Sequence, residues 1–137
     1  MRAIIAGIAI VFIAASPASA SSLEGLWKNP SGTVIIGIRP CGTLLCGTVR
    51  WASAKAKADA AKGTDQLVGA ELLSKVKPTD ANRWAGKLFV PDQKMRVNAK
   101  LEMLSYDLLR VTGCAIGKSL CKSQLWTRTA DPLPASD

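Results

Sequence analysis

The chain of 137 residues contains no histidine. That absence removes the side chain that most often serves as general base near neutral pH, and with it serine–histidine triads and imidazole-based metal sites. Aromatic residues other than tryptophan are scarce, with one tyrosine and two phenylalanines. The interleaving of aromatic and basic residues by which RNA-binding modules stack bases is missing, so no nucleic-acid partner is expected. Ten acidic residues stand against eighteen lysines and arginines. They are scattered, Asp59, Asp65, Glu71 and Asp80 lying in or near the one expected helix and the turns. None of their spacings suggests the carboxylate pair, about 5 to 9.5 Å apart, of glycoside cleavage. No catalytic residue and no cofactor can be nominated, and the expectation is a protein that is not an enzyme.

Long apolar runs are also absent, except at the start. MRAIIAGIAIVFIAASPASA has one basic residue, Arg2, an apolar run from Ala3 to Ala15, Ser16-Pro17, and the small-x-small triplet Ala18-Ser19-Ala20. This is the pattern of a cleavable export signal; the run is too short for a membrane span, which takes roughly 18 or more apolar residues. The expected organisation is a signal peptide over residues 1–20, one domain over 21–129 and a flexible tail over 130–137, whose ADPLPASD is rich in proline. After cleavage no segment is expected to span a bilayer, and the protein is expected to be exported, to a periplasm or outside the cell.

Export changes the meaning of the four cysteines, because oxidising compartments permit lasting disulfides that supplement a small core. Cys41 and Cys46 flank a turn containing Gly42, and Cys114 and Cys121 flank a turn containing Gly117. Each pair can close the end of a hairpin, which favours Cys41 with Cys46 and Cys114 with Cys121. Connectivities that join the two hairpins stay open at this level. A four-thiolate zinc site or a redox dithiol fits less well, since the second pair is separated by six residues and neither pair is C-x-x-C. No metal site is assigned.

Short alternating segments fill most of the chain. Met95, Val97, Ala99, Leu101 and Met103 alternate with Arg96, Asn98, Lys100 and Glu102, the period of a strand with one buried face. Ser105-Tyr106-Asp107 then reverses the chain into Leu108 to Thr112. Further strands are expected at Leu26 to Lys28, Thr33 to Arg39, Leu45 to Trp51, Leu67 to Leu73, Trp84 to Val90 and Ser123 to Arg128. Only Ser53 to Lys62, SAKAKADAAK, reads as helix, with Gly63 placed to cap it. Seven or eight strands with one helical insertion imply an all-β fold, a closed or nearly closed antiparallel barrel.

Five segments carry a further resemblance: GLWKNP from Gly25, CGTLLCGTVRW from Cys41, WAGKLFVPD from Trp84, VTGC from Val111 and KSQLWTR from Lys122. Together they resemble the bacterial exported family known as domain of unknown function 2147, along nearly the whole mature chain. The resemblance implies a lipocalin-like, calycin-type barrel. Gly25 and Trp27 on the first strand and Arg128 on the last are similar to the calycin signature, in which the arginine packs over the indole and closes one barrel end; Trp126 belongs to the same closure. The chain departs from the family pattern at Lys94-Met95-Arg96, where relatives tend to carry an aromatic residue after a Gly-Lys pair and Gln93 and Arg96 here replace the Gly and the aromatic; Arg96 is one of the candidate ligand contacts.

The resemblance brings no established reaction or ligand. Trp27 and Trp126 read as core. Trp51, at the end of a strand and expected on the same face as Val49, and Trp84, after the PTDANR segment taken as a mouth loop, are the other candidate ligand contacts. A small apolar or amphipathic ligand held inside the barrel is the first expectation. The second rests on the net charge of +8: Lys55, Lys57, Lys62, Lys75, Lys77, Arg83 and Lys87 crowd the middle of the chain, and a basic helical insertion with the loops from Ala60 to Arg83 could bind an anionic envelope surface or another protein.

Overall fold

In the computed structural model of the protein, residues 23–115 and 120–130 are described, with positions 7, 9, 10, 133 and 134. Most of residues 1–20, where the export signal is expected, Gly117 and most of the tail lie outside the described residues.

Eight strands pair in sequence order and close on themselves: β1 (Gly25–Lys28), β2 (Val34–Cys41), β3 (Leu44–Ala52), β4 (Glu71–Asp80), β5 (Arg83–Val90), β6 (Met95–Ser105), β7 (Leu108–Cys114) and β8 (Cys121–Thr129). Every pairing is antiparallel, and β8 returns to β1 through Trp27 opposite Arg128. Closure leaves no free sheet edge, the usual liability of an all-β chain. It also sorts the connections between two ends. One end holds the start of β1 and the β2–β3, β4–β5 and β6–β7 turns. The other holds the β1–β2 loop, the long β3–β4 insertion, the Pro91–Gln93 turn and the β7–β8 connection.

Alternation writes the core directly. In β6, Val97, Ala99 and Leu101 are buried while Arg96, Asn98 and Lys100 face water. The expected pattern fails at its margins: Met95, where the strand begins, is 38% exposed, and Met103 is only partly buried. One connected buried cluster takes side chains from all eight strands, among them Trp27, Ile36, Val49, Leu73, Trp84, Leu101, Leu109 and Trp126. Side chains of this volume suffice to fill an eight-stranded barrel.

The helix α1 (Ala54–Ala60) starts where Ser53, in extended conformation, accepts a hydrogen bond from the Ala56 amide at 3.1 Å. It stops two residues short of expectation, with Ala61 as its cap. Gly63 serves close approach instead of capping: a Cβ there would lie 2.0 Å from the Pro91 carbonyl oxygen. The insertion thereby packs on the Pro91–Gln93 turn, and Ala60 and Leu67 bury into the main core.

The largest departure from the sequence reading is β4. Leu67 to Ala70 form a turn, with the Ala70 amide bonded to the Leu67 carbonyl and Gly69 at φ +94°. The strand begins at Glu71 and runs through Lys75, Lys77 and Pro78 to Asp80. Lys75 at φ +53° and register shifts on both sides of the Lys77–Pro78 pair admit these residues, as bulges do. The region expected to be loops up to Arg83 is therefore largely barrel wall.

Both favoured disulfides are present, Cys41–Cys46 across the β2–β3 hairpin and Cys114–Cys121 joining β7 to β8. They sit at opposite barrel ends. Four bonded cysteines supply no thiolate for zinc or for redox chemistry in this state.

Candidate functional site

At the end where β1 starts, the barrel is plugged. Trp27 is fully buried and its indole N–H donates to the Leu23 carbonyl at 2.9 Å. The Arg128 guanidinium lies between two rings, 4.2 Å from the Trp27 centroid and 4.1 Å from that of Tyr106. It donates to the Tyr106 carbonyl at 2.7 Å and the Glu24 carbonyl at 2.8 Å. Gly25, at φ +131°, makes room: a Cβ there would fall 2.7 Å from Arg128 Nη1. Trp126, 4% exposed, packs into the same core and donates to Gln124 Oε1 at 3.1 Å.

The three ligand contacts expected from the sequence do not converge. Trp84 follows the Ala81–Asn82 turn, which lies at the plugged end and not at a mouth, and the ring is 3% exposed within the core. A register shift in β2–β3 passes over Arg50, setting Val49 opposite Ile36 but Trp51 opposite Ile35. Trp51 consequently faces the other side of the wall from Val49, beside an Ile35 that is buried outside the main cluster. Arg96 lies at the opposite end from Trp84, exposed on the outer wall with its guanidinium 5.5 Å from the Phe89 ring.

What the pairing does bring together is charge. On the outer wall Arg83 stands opposite Glu102 and Glu102 opposite Arg110; in the next row Lys77 stands opposite Ala85, Ala85 opposite Lys100 and Lys100 opposite Thr112; in the next, Lys87 is opposite Asn98. Strands about 4.8 Å apart with same-face residues about 6.8 Å apart turn these positions into a lattice of cations. The Glu102 carboxylate is shared, 2.9 Å from both Arg83 Nε and Arg110 Nη1, and Lys87 donates to Asn98 Oδ1. The small Ala85 side chain leaves an open depression of about 470 Å³ bounded by Arg83, Lys100, Arg110, Thr79, Thr112 and a second acid, Asp80, which stands opposite Arg83. Leu125, 45% exposed, stands opposite Arg110 at the margin of this face.

In the insertion, Lys57 and Lys62 form no ion pair among the described residues. Lys55 is paired with Asp59 at 2.9 Å, and Asp65 follows a few residues on. Lys100 and Arg110 were the residues missed: they sit on strands, and only the pairing of β5, β6 and β7 places them beside Arg83 and Lys87.

The family model described as an uncharacterized protein conserved in bacteria, domain of unknown function 2147, matches residues 25–128. The chain belongs to this family. The match runs from the glycine that admits Arg128 to Arg128 itself, so the plug falls within the family's limits. No curated protein matches the chain. Among solved structures, the protein HP1028 from the human pathogen Helicobacter pylori, described as belonging to the lipocalin family, is similar in fold. It aligns with a TM-score of 0.60 at 13% identity, covering 80% of this chain and 84% of that one. The domain of unknown function 2147 chain thus has a lipocalin-like barrel. Two disulfides in a bacterial family point to a protein outside the cytoplasm. No helix among the described residues is long and apolar enough to cross a membrane.

Proposed function

We propose that this barrel is a non-catalytic binding protein of the bacterial envelope that docks on an anionic lipid surface through the outer face of β4–β8. The observation that carries the reading is the lattice of Lys77, Arg83, Lys87, Lys100 and Arg110, with Glu102 and Asp80 as the acids set among them. Each cation near an anionic leaflet contributes about 1 kcal/mol, and its field decays within a Debye length. Five cations less these two acids leave a net three charges, which correspond to about 3 kcal/mol, on the order of a hundredfold in affinity. Exposed Leu125 beside Arg110 adds an apolar group where charge meets the interface, which favours a lipid surface over a purely ionic partner.

The first expectation from the sequence, a small apolar or amphipathic ligand inside the barrel, is less favoured because of the core that joins all eight strands, three tryptophans included. A ligand there would have to displace side chains already packed together.

Co-sedimentation of the exported, disulfide-bonded protein with vesicles tests the docking reading. Vesicles of phosphatidylglycerol and phosphatidylcholine at low salt should retain the protein, pure phosphatidylcholine should not, and about 1 M salt, where the Debye length is about 3 Å, should release it. Binding that is indifferent to salt or to the anionic lipid would refute the reading.

A further inference from the structure

A second groove lies on the other side of the barrel, over β1–β3, and is independent of the docking face. It has a volume of about 700 Å³ and is lined by Leu26, Gly37, Arg39, Thr48, Arg50 and Val68. Its floor is Gly37, where a Cβ would lie 3.0 Å from Arg50 Cγ and 3.5 Å from Leu26 Cδ2. The missing side chain lets the Arg50 stem lie across the groove. Arg39 and Arg50 are both exposed, and among the described residues neither forms an ion pair. In the register they fall on opposite sides of the Gly37–Thr48 pair, so the two arms flank the same floor from its two ends.

Arg39 is also held in place. Its cross-strand neighbour is Cys46, which the disulfide ties to Cys41 two residues beyond Arg39. The nearest acid in the register, Glu71, stands opposite Thr48, with a carboxylate oxygen within 4.8 Å of both disulfide sulfurs, and it forms no ion pair with either arginine among the described residues. The floor and one wall are apolar or bare, through Leu26, Gly37 and Val68. A guanidinium fork pairs best with a planar or tetrahedral oxyanion, in two parallel hydrogen bonds.

We infer that this groove binds a single small amphipathic anion, its phosphate or carboxylate head held by Arg39 and Arg50 and its apolar body laid along Leu26 and Val68. The Thr48 hydroxyl is placed to add a hydrogen bond to the head. The site is on the outer wall, so it needs no opening of the packed barrel.

The test is nitrogen-15 amide spectroscopy of the mature, disulfide-bonded protein, titrated with octyl phosphate below its micelle concentration, with inorganic phosphate and with neutral octyl glucoside. Octyl phosphate should move the Gly37, Thr48 and Gly69 amides saturably and bind at least about tenfold more tightly than either control, a difference of about 1.4 kcal/mol. Arg39→Gln and Arg50→Gln should each weaken it by about tenfold or more, and Gly37→Val, which leaves both arginines but fills the floor, should do the same. Unchanged dispersion of the remaining amides shows that each variant is folded. Lys87→Glu with Lys100→Glu should leave this binding intact, which separates it from vesicle docking. The inference is overturned by a groove that does not respond to octyl phosphate, by equal response to octyl glucoside or inorganic phosphate, or by wild-type affinity in both arginine variants.

Discussion

Arg128→Lys is the most demanding perturbation of the plugged end, because it keeps the charge and removes the planar fork. The arginine stacks between Trp27 and Tyr106 at 4.2 and 4.1 Å and donates to two carbonyls at 2.7 and 2.8 Å. A hydrogen bond from a charged group contributes about 1.5 to 3 kcal/mol, and a cation over an aromatic face about 0.5 to 2 kcal/mol. Both contributions are reduced here because the side chain is partly exposed, and a lysine can keep one carbonyl contact but not both with the stack. The net loss comes to about 2 to 3 kcal/mol. For a domain near 100 residues this lowers the melting temperature by about 10 to 20 °C. Thermal unfolding followed by near-ultraviolet circular dichroism, which reports the buried indoles, measures it with the disulfides intact. A melting temperature within 2 °C of wild type would refute the claim that this stack closes the barrel.

Other consequences follow from the same contacts. Trp84→Ala should lower stability by about 3 to 5 kcal/mol, as expected of a large aromatic removed from a core, whereas a ligand contact at a mouth would give little change in a chemical denaturation curve. Replacing Cys41 and Cys46 together by serine should cost about 2 kcal/mol, the entropy of a short closed loop, and non-reducing peptide mapping of the wild type should yield the Cys41–Cys46 and Cys114–Cys121 linkages. Glu102→Gln should tighten binding to anionic vesicles by severalfold, since it leaves Arg83 and Arg110 without their shared carboxylate; vesicle titration at low salt reads this directly.

The barrel was legible because most of its strands carry their own pattern. β6 alternates cleanly, Asn29 folds the β1–β2 turn by accepting from the Thr33 and Val34 amides at 2.8 and 3.0 Å, and Ser53 marks the helix start. β4 was misplaced because its second half, Lys75 to Asp80, is polar and contains a proline; such a segment becomes strand only through bulges and the pairing offered by β5. The same tertiary effect hid the site. Trp84 follows turn-like residues, but closure fixes which turns share an end, and this one shares the plugged end with Gly25. Trp51 changed faces through a single register shift, which reverses side-chain direction without altering composition. Lys100 and Arg110 belong to separate strands, so their proximity to Arg83 and Lys87 exists only in the folded wall. The arginines flanking Gly37 are likewise united by pairing, since Arg39 and Arg50 are distant in sequence.

The central claim is that recognition belongs to the strand wall and not to the helical insertion or the interior. Dissociation constants for phosphatidylglycerol-containing vesicles, measured on two charge-reversed proteins, test it most directly. Lys87→Glu with Lys100→Glu should weaken binding by about a hundredfold or more, from about 1 kcal/mol for each unit of charge changed. Lys55→Glu with Lys57→Glu, on the insertion, should change it by less than about threefold. The opposite ranking, or binding unaffected by both, would contradict the account.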